Sequence, residues 1–317
     1  MISILHIWIA LILDVVIGDP RWLPHPVKII GGLALRLEAP MRRRFASERT
    51  AGVVTAAAVI GLTAAITSAG LWMADRISPW LGHVAAVAVL YACFAARDLD
   101  RHGRAVQAAL AREDLSLARR RVAMIVGRDT DRLDETDVVR AAVESVAENT
   151  VDGVVAPLFF AFLGGPVAAM AYKAASTLDS TFGYRNERYL RFGWASARID
   201  DAANYLPARI GVALMALAAR TLGENPRGGL QSSRRDGPRH ASPNAGLAEA
   251  AMAGALGVQL GGPVHRHGRL DEMPRLGEPV EPLAAGHIIR ACRMMMATTM
   301  AGAMVFTMTR IMFWAML

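Results

Sequence analysis

What most restricts this chain is a stretch with no charge in it. From Gly52 to Ala74 no ionisable side chain interrupts a run of Val, Ala, Ile, Leu and Thr, and as a helix that run crosses a hydrocarbon core of about 30 Å. The rest of the chain agrees, because 53% of its 317 residues are hydrophobic, more than the roughly 45–50% of a soluble domain. The 35 Lys and Arg outnumber the 28 Asp and Glu, a balance that also suits nucleic-acid binding. Stacking aromatics are sparse, however, and the cations fall between apolar runs, so a positive cytoplasmic face explains them better and no nucleic-acid partner is expected. Only Lys28 and Lys173 are lysines, which weakens any argument from arginine count. Cys93 and Cys292 lie in apolar surroundings without the spacing of a zinc site, redox pair or disulfide framework, and neither is a functional candidate.

The expected architecture is all-α: a polytopic integral membrane protein with cytoplasmic helical segments and roughly four to six spans. Ile2 to Ile17 reads as a short retained span carrying His6 and Asp14, and the arginine-rich stretch from Arg21 to Arg49 places the N-terminus outside. Gly52–Ala74 and His83–Ala96 form a membrane hairpin. Arg97 to Asp152 turns polar and helical, with stripes of Leu99, Val106 and Leu110 and of Val138, Ala142 and Val146. Val154–Tyr172 is apolar but broken by Pro157 and by Gly164, Gly165 and Pro166, so a re-entrant hairpin is expected. Leu206–Leu222 and Leu247–Leu260 read as too short or too polar to span. Met295–Leu317 reads as a terminal span in which Arg310 must snorkel or pair. The stretch Glu224–Asn244, rich in Gly, Pro, Ser and Arg, suggests a mobile connection. Hydropathy thus divides the chain into N-terminal spans with a polar turn (1–97), cytoplasmic helices with the re-entrant segment and acidic clusters (98–249), and a C-terminal membrane segment (250–317).

Four polar clusters carry chemistry. In DVVIGDPRWLPHPV, Gly18, Pro20, Pro24 and Pro26 stiffen a turn from which Asp19 and His25 project, though an ordinary helix stop explains the same residues. In ESVAENTVDG, Glu144, Glu148 and Asp152 recur every four residues, and like charges in such a row repel by roughly 0.2–0.5 kcal/mol per pair. Pairing of Arg140 with Glu144 on a solvated face explains only part of this. A divalent-metal site with Asn149 as an added oxygen donor explains more. In the third cluster, Lys173 and Asp179 precede Asp200, Asp201 and Asn204, whose oxygens suit Mg²⁺; the competing reading makes Asp200 or Asp201 a cap for a helix starting near Ala202. The fourth, RRDGPRHASPNAGLAEA, sets Arg235, Asp236, His240, Asn244 and Glu249 beside a helix start, a plausible anion site. Phosphate-loop and dinucleotide-turn motifs are absent.

The blocks GDPRWLPHPV, ESVAENTVDGVVAPLFFAFLGG, YKAASTLDSTFGYRNERY, DDAANYLPARI and SRRDGPRHASPNAGLAEAAMAGALGVQLGG resemble, in order and over most of the chain, those of the CobD/CbiB family. That resemblance implies an enzyme of cobalamin biosynthesis in the cytoplasmic membrane, its active face cytoplasmic. It joins adenosylcobyric acid to (R)-1-amino-2-propanol or its O-phosphate, using ATP and Mg²⁺, with the corrinoid as substrate and other pathway proteins as partners. The carboxylate is unreactive toward amines until ATP supplies a leaving group. Glu144, Glu148, Asn149, Asp152, Asp200, Asp201 and Asn204 are the expected metal ligands. His240, as base, with Lys173, Asp179 and Glu249 forms the catalytic set, and Asp19, His25, Arg185, Asn186, Arg198, Arg235, Asp236 and Asn244 contact substrate or phosphate. Two rivals share these features: a Mg²⁺-dependent membrane prenyl- or phosphatidyl-transferase without ATP turnover, and an AmpE-like sensor or transporter using buried Asp14, Glu148 and Asp201.

Overall fold

The computed structural model describes residues 4–20, 25–184, 186–266 and 268–316. They form helices α1 (Ile4–Ile17), α2 (Pro26–Arg44), α3 (Glu48–Ile77), α4 (Pro79–Tyr91), α5 (Ala96–Leu110), α6 (Leu115–Val122), α7 (Glu135–Thr150), α8 (Ala156–Phe182), α9 (Trp194–Leu222), α10 (Pro226–Asp236), α11 (Ala245–Leu256) and α12 (Gly286–Ala315). A single antiparallel hairpin, β1 (Leu260–Arg266) and β2 (Arg269–Leu276), lies between α11 and α12. Five stretches are long and apolar enough to cross a bilayer: Glu48–Ile77, Pro79–Leu110, Glu135–Phe182, Trp194–Leu222 and Gly286–Ala315. The chain is a multi-pass, helical membrane protein, as the hydropathy requires.

Compactness divides the chain differently from hydropathy. One unit gathers residues 1–95, 156–204 and 306–317, and the other 96–155 and 205–305. In the first, α3 and α4 form the expected hairpin, turning at Ser78–Pro79. Leu62, Ile66, Trp72 and Trp80 are exposed, which water penalises and lipid does not. Polar side chains in these helices satisfy themselves locally: Thr55, Thr63 and Thr67 each donate to the carbonyl four residues back, at 2.7–2.8 Å.

The Val154–Tyr172 expectation holds in its essential feature. Gly164 and Gly165 leave helical geometry, and Gly165 takes φ 70°, ψ −159°, a conformation open to glycine alone. Phe160 and Tyr172 stack with ring centroids 5.0 Å apart, although twelve residues of straight helix would separate their Cα atoms by about 18 Å. The chain therefore bends sharply at the glycine pair. Arg310 donates to the Phe162 carbonyl at 3.2 Å, so this membrane-embedded cation is paired.

Three readings of the sequence need correction. Leu206–Leu222 is the second half of α9, which starts at Trp194 and is long enough to span; Arg198, Asp200 and Asp201 masked its first turns. The Glu224–Asn244 stretch is not a loose connection but largely helix. Pro226 opens α10 after Asn225, whose Oδ1 accepts from the Gly228 amide at 2.8 Å, a start signal that outweighs the composition. Its glycines serve packing, because a Cβ on Gly254 of α11 would collide with the Gly228 carbonyl. Finally, the segment after residue 250 holds the β-hairpin as well as α12. Gly261 and Gly262 adopt φ of 76° and 92° at a bulge, and Gly268 takes φ 74° beside the hairpin turn.

Candidate functional site

In the second unit the buried stripes do what their spacing requires. Val138, Ala142 and Val146 of α7 and Leu99, Val106 and Leu110 of α5 are all buried. α7 starts at Asp134, whose carboxylate accepts from the Asp137 amide at 2.7 Å. Ser145 Oγ donates to the Ile125 carbonyl at 2.6 Å, drawing the preceding loop onto the helix. That loop delivers Arg128, whose Nη2 lies 2.5 Å from Glu144 Oε2. Glu144 Oε1 accepts from the Gly261 amide of β1 at 2.7 Å. Glu144 is buried, so these two donors replace the water it gave up. Arg140 bonds to Asp137 instead, and the solvated Arg140–Glu144 pair considered from sequence does not form.

Glu144 and Glu148 keep their helical spacing, but Asp152 falls in a π-turn, Val151–Val155. The wider turn breaks the i,i+4 row. Asn149 turns its amide nitrogen to the Ser145 carbonyl, 2.9 Å away.

A cavity of about 100 Å³ forms beside this row, lined by Arg128, Glu144, Glu148, His240, Glu249 and Arg266 among others. Glu249 sits mid-way along α11 with only 8% of its surface exposed, and no hydrogen bond to it exists among the described residues. Burial, and then repulsion from Glu144 and Glu148, push its carboxyl well above the usual range, against the pull of Arg128 and Arg266. His240 reaches the cavity from the turn before α11, and its Nδ1 accepts from the Ser242 amide at 3.0 Å. With that nitrogen accepting, the neutral ring carries its proton on Nε2 and donates there. Ser242 Oγ accepts from the Asn244 and Ala245 amides at 3.3 and 3.2 Å, and Asn244 Oδ1 lies 3.5 Å from Arg209 Nη1.

Arg235 and Asp236, expected to contact phosphate, bind each other, and Arg235 also lines a second cavity of about 340 Å³. Arg235 places Nε and Nη2 2.9 and 2.8 Å from the Asp236 carboxylate, which also accepts from the Gly277 amide at 3.0 Å. The Arg235 guanidinium is the main cause holding buried Asp236 below its ordinary pKa, and neither residue lines the first cavity.

The remaining candidates belong to the first unit. Asp200 and Asp201 lie inside α9, so neither caps a helix near Ala202. Asn204 donates to Asp200 at 3.0 Å and accepts from the Tyr172 hydroxyl at 2.9 Å. Asp201 lies 3.7 Å from Arg198. Lys173 and Asp179 belong to α8. Asp19 and His25 approach to 3.5 Å, while Arg21 to Pro24 between them, and Arg185, lie outside the described residues. Asn186 Oδ1 accepts from the Tyr189 amide at 3.0 Å. Nearby, buried Glu38, which no sequence pattern marked, receives Arg42 at 3.1 Å and Arg188 at 3.1 and 3.0 Å. It clamps the loop that follows α8.

Among the described residues no three His, Cys, Asp or Glu side chains converge closely enough to enclose a metal ion. The donor set suits Mg²⁺ in its usual manner, with one or two carboxylates and the remaining positions filled by water and substrate phosphate. Of the three carboxylates that line the cavity, Glu144, Glu148 and Glu249, Glu144 has both oxygens occupied by Arg128 and the Gly261 amide. The residues missed in sequence are Arg128 and Arg266, two arginines in a chain with many and no distinguishing spacing.

The profile of the CobD/Cbib protein family matches residues 7–295. A cobalamin biosynthesis protein CobD of Geobacter metallireducens is 50% identical over 276 residues, covering 87% of each chain. The CobD of Pelobacter propionicus is 46% identical over 297 residues, covering 94% of this chain and 92% of its own. A cobalamin biosynthesis protein CbiB of Salmonella typhi is 42% identical over 306 residues, covering 95% and 96%. No solved structure matches. On the family profile and these near full-length identities, the chain belongs to the CobD/CbiB family.

Proposed function

We propose that the chain is a biosynthetic enzyme of the cobalamin pathway and that its reaction is amide ligation between adenosylcobyric acid and (R)-1-amino-2-propanol or its O-phosphate. The family and the names of its relatives support the pathway. The observation that carries the chemistry is Glu249, a carboxyl buried with no hydrogen bond among the described residues, in a cavity whose walls also hold Arg128, Arg266 and His240. Amide formation needs an amine stripped of its proton and a cation-lined place for departing negative charge, and this cavity offers both. Glu249 accepts the proton from the amine. His240, donating from Nε2, and the two arginines face the anionic groups. ATP supplies the leaving group that a carboxylate lacks, and Mg²⁺ held through Glu148 offsets phosphate charge. The site opens to the cytoplasm, where ATP is available, and the protein resides in the cytoplasmic membrane.

The test is direct. Purified full-length protein with adenosylcobyric acid, the amino alcohol or its phosphate, ATP and Mg²⁺ should give an amide product by mass spectrometry, with stoichiometric ATP consumption. ATP-independent product formation, or none under any condition, overturns the reading.

A further inference from the structure

Independently of the ligation reading, we propose that the first unit carries a site for an anionic phospholipid headgroup where the last turn of α2, the first turn of α3 and the loop before α9 meet. Arg43, Arg44, Arg49 and Arg191 supply the charge, and Leu190 and Trp194 supply the apolar contact. The three segments are fastened to one another. Arg42 Nη2 donates to the Arg188 carbonyl at 2.6 Å, the Arg42 guanidinium stands 4.3 Å from the centre of the Phe192 ring, and a Cβ on Gly52 would collide with the Phe192 carbonyl.

Charge at this end of the unit is one-sided once the internal pairs are set aside. Glu38 is held by Arg42 and Arg188, and Glu48 by Arg42. Arg43, Arg44, Arg49 and Arg191 are exposed and make no hydrogen bond or ion pair among the described residues. Among the described residues of these segments the one further acid is Glu187, exposed in the loop. Guanidinium groups that protein carboxylates leave open take phosphate oxygens in paired hydrogen bonds.

Depth decides which phosphate this is. The uncharged run of α3 starts at Gly52, three residues after Arg49, so at a helical rise of about 1.5 Å per residue Arg49 lies about 4.5 Å outside the hydrocarbon. The headgroup layer on each side of a bilayer is about 5–8 Å thick. Trp194 opens α9, a second stretch able to span, and the centre of its ring lies 3.6 Å from the Arg49 guanidinium. Leu190 and Trp194 are 61% and 38% exposed. A soluble anion would satisfy the arginines and leave these two side chains in water. A phospholipid meets the arginines with its phosphate and the apolar pair with its glycerol and upper chain. A zwitterionic headgroup brings its own ammonium against four guanidiniums, so a lipid of net negative charge is favoured.

Native mass spectrometry of the full-length protein in detergent tests this, with phosphatidylglycerol and phosphatidylcholine of identical acyl chains as probes, added singly and as an equal mixture. The wild type should retain phosphatidylglycerol in preference. Arg44→Gln/Arg191→Gln should cut that preference about tenfold. Arg112→Gln/Arg120→Gln, the same loss of charge on exposed arginines of the second unit, should leave it unchanged. Trp194→Ala should weaken retention of both lipids, and glycerol 3-phosphate, offered as a soluble headgroup, should displace neither. Should the first double variant fail to fold, Arg43→Gln at its exposed position reads the same preference, which should fall. Equal retention of the two lipids by the wild type, an unchanged preference in the folded patch variant, or the same loss in the control pair overturns the proposal. So does undiminished retention in Trp194→Ala, or displacement of the lipid by glycerol 3-phosphate.

Discussion

Two buried carboxylates, one in each unit, are surrounded differently. In the first, buried Glu38 is surrounded by Arg42, Arg188 and Tyr189, and Asn204 bridges Asp200 Oδ2 and the Tyr172 hydroxyl. In the second, Arg128 neutralises Glu144, yet Glu249 is buried beside a cavity with no hydrogen bond or ion pair among the described residues. Closed networks fix a backbone; a buried group left open is a cost that only a ligand removes. Acidic content alone does not reveal this difference, since both units contain acidic clusters.

The comparison is broken most severely by removing the open group. Glu249→Gln should lower the ligation rate about a hundredfold or more, while Asp200→Asn should cost far less, measured as initial rates on folded protein. Comparable losses would erase the distinction between open and closed networks. Next in size is the closed pair inside the second unit. Arg128→Gln strands a buried carboxylate and should destabilise the protein by about 3–5 kcal/mol, and adding Glu144→Gln should restore much of this in a double-mutant cycle followed by denaturant unfolding.

In the first unit the corresponding weak point is backbone. Gly165→Ala forces a Cβ into φ 70°, ψ −159°, a loss of about 1–3 kcal/mol in the same assay; an unchanged midpoint would mean that the bend has relaxed. The smallest effect is a pH dependence. Asp236 is held below its ordinary 3.8, chiefly by Arg235, so its contribution is complete above that value and is lost as pH falls through the depressed one. Asp236→Asn should flatten the acid limb of a stability-against-pH curve. The change should shrink in high salt because Arg235 is partly exposed.

Much of the fold was written in hydropathy. The uncharged run of α3, the stripes of α5 and α7, and the breakers at Gly164 to Pro166 each act through local chemistry, and each reads directly. The first turns of α9 are masked in sequence because Arg198, Asp200 and Asp201 look like a loop; in the fold Asn204 bonds to Asp200 and Arg198 pairs with Asp201. The β-hairpin stayed hidden because its alternation is diluted by Gly261, Gly262 and Pro263. At the site, Glu144, Glu148, His240 and Glu249 stood out as polar residues in apolar company. Arg128 and Arg266 did not, since what singles them out is which carboxyls they meet, a property of tertiary contact. The Arg235–Asp236 contact is of the same kind: two adjacent opposite charges look alike in sequence whether or not they bind each other.

The hairpin's attachment has a consequence for how such a site changes over time. Glu144 grips it through the Gly261 amide, and Asp129 through the His265 carbonyl and the Gly268 amide. All three points of attachment on the hairpin are main-chain atoms, and main-chain atoms are the same whatever side chain stands above them. A strand residue that lines the cavity, such as Arg266, can therefore be exchanged by a single codon change while the wall that carries it stays seated. Ligand preference and scaffold integrity are inherited separately at this position, and the hairpin is where relatives with a different small substrate should differ first.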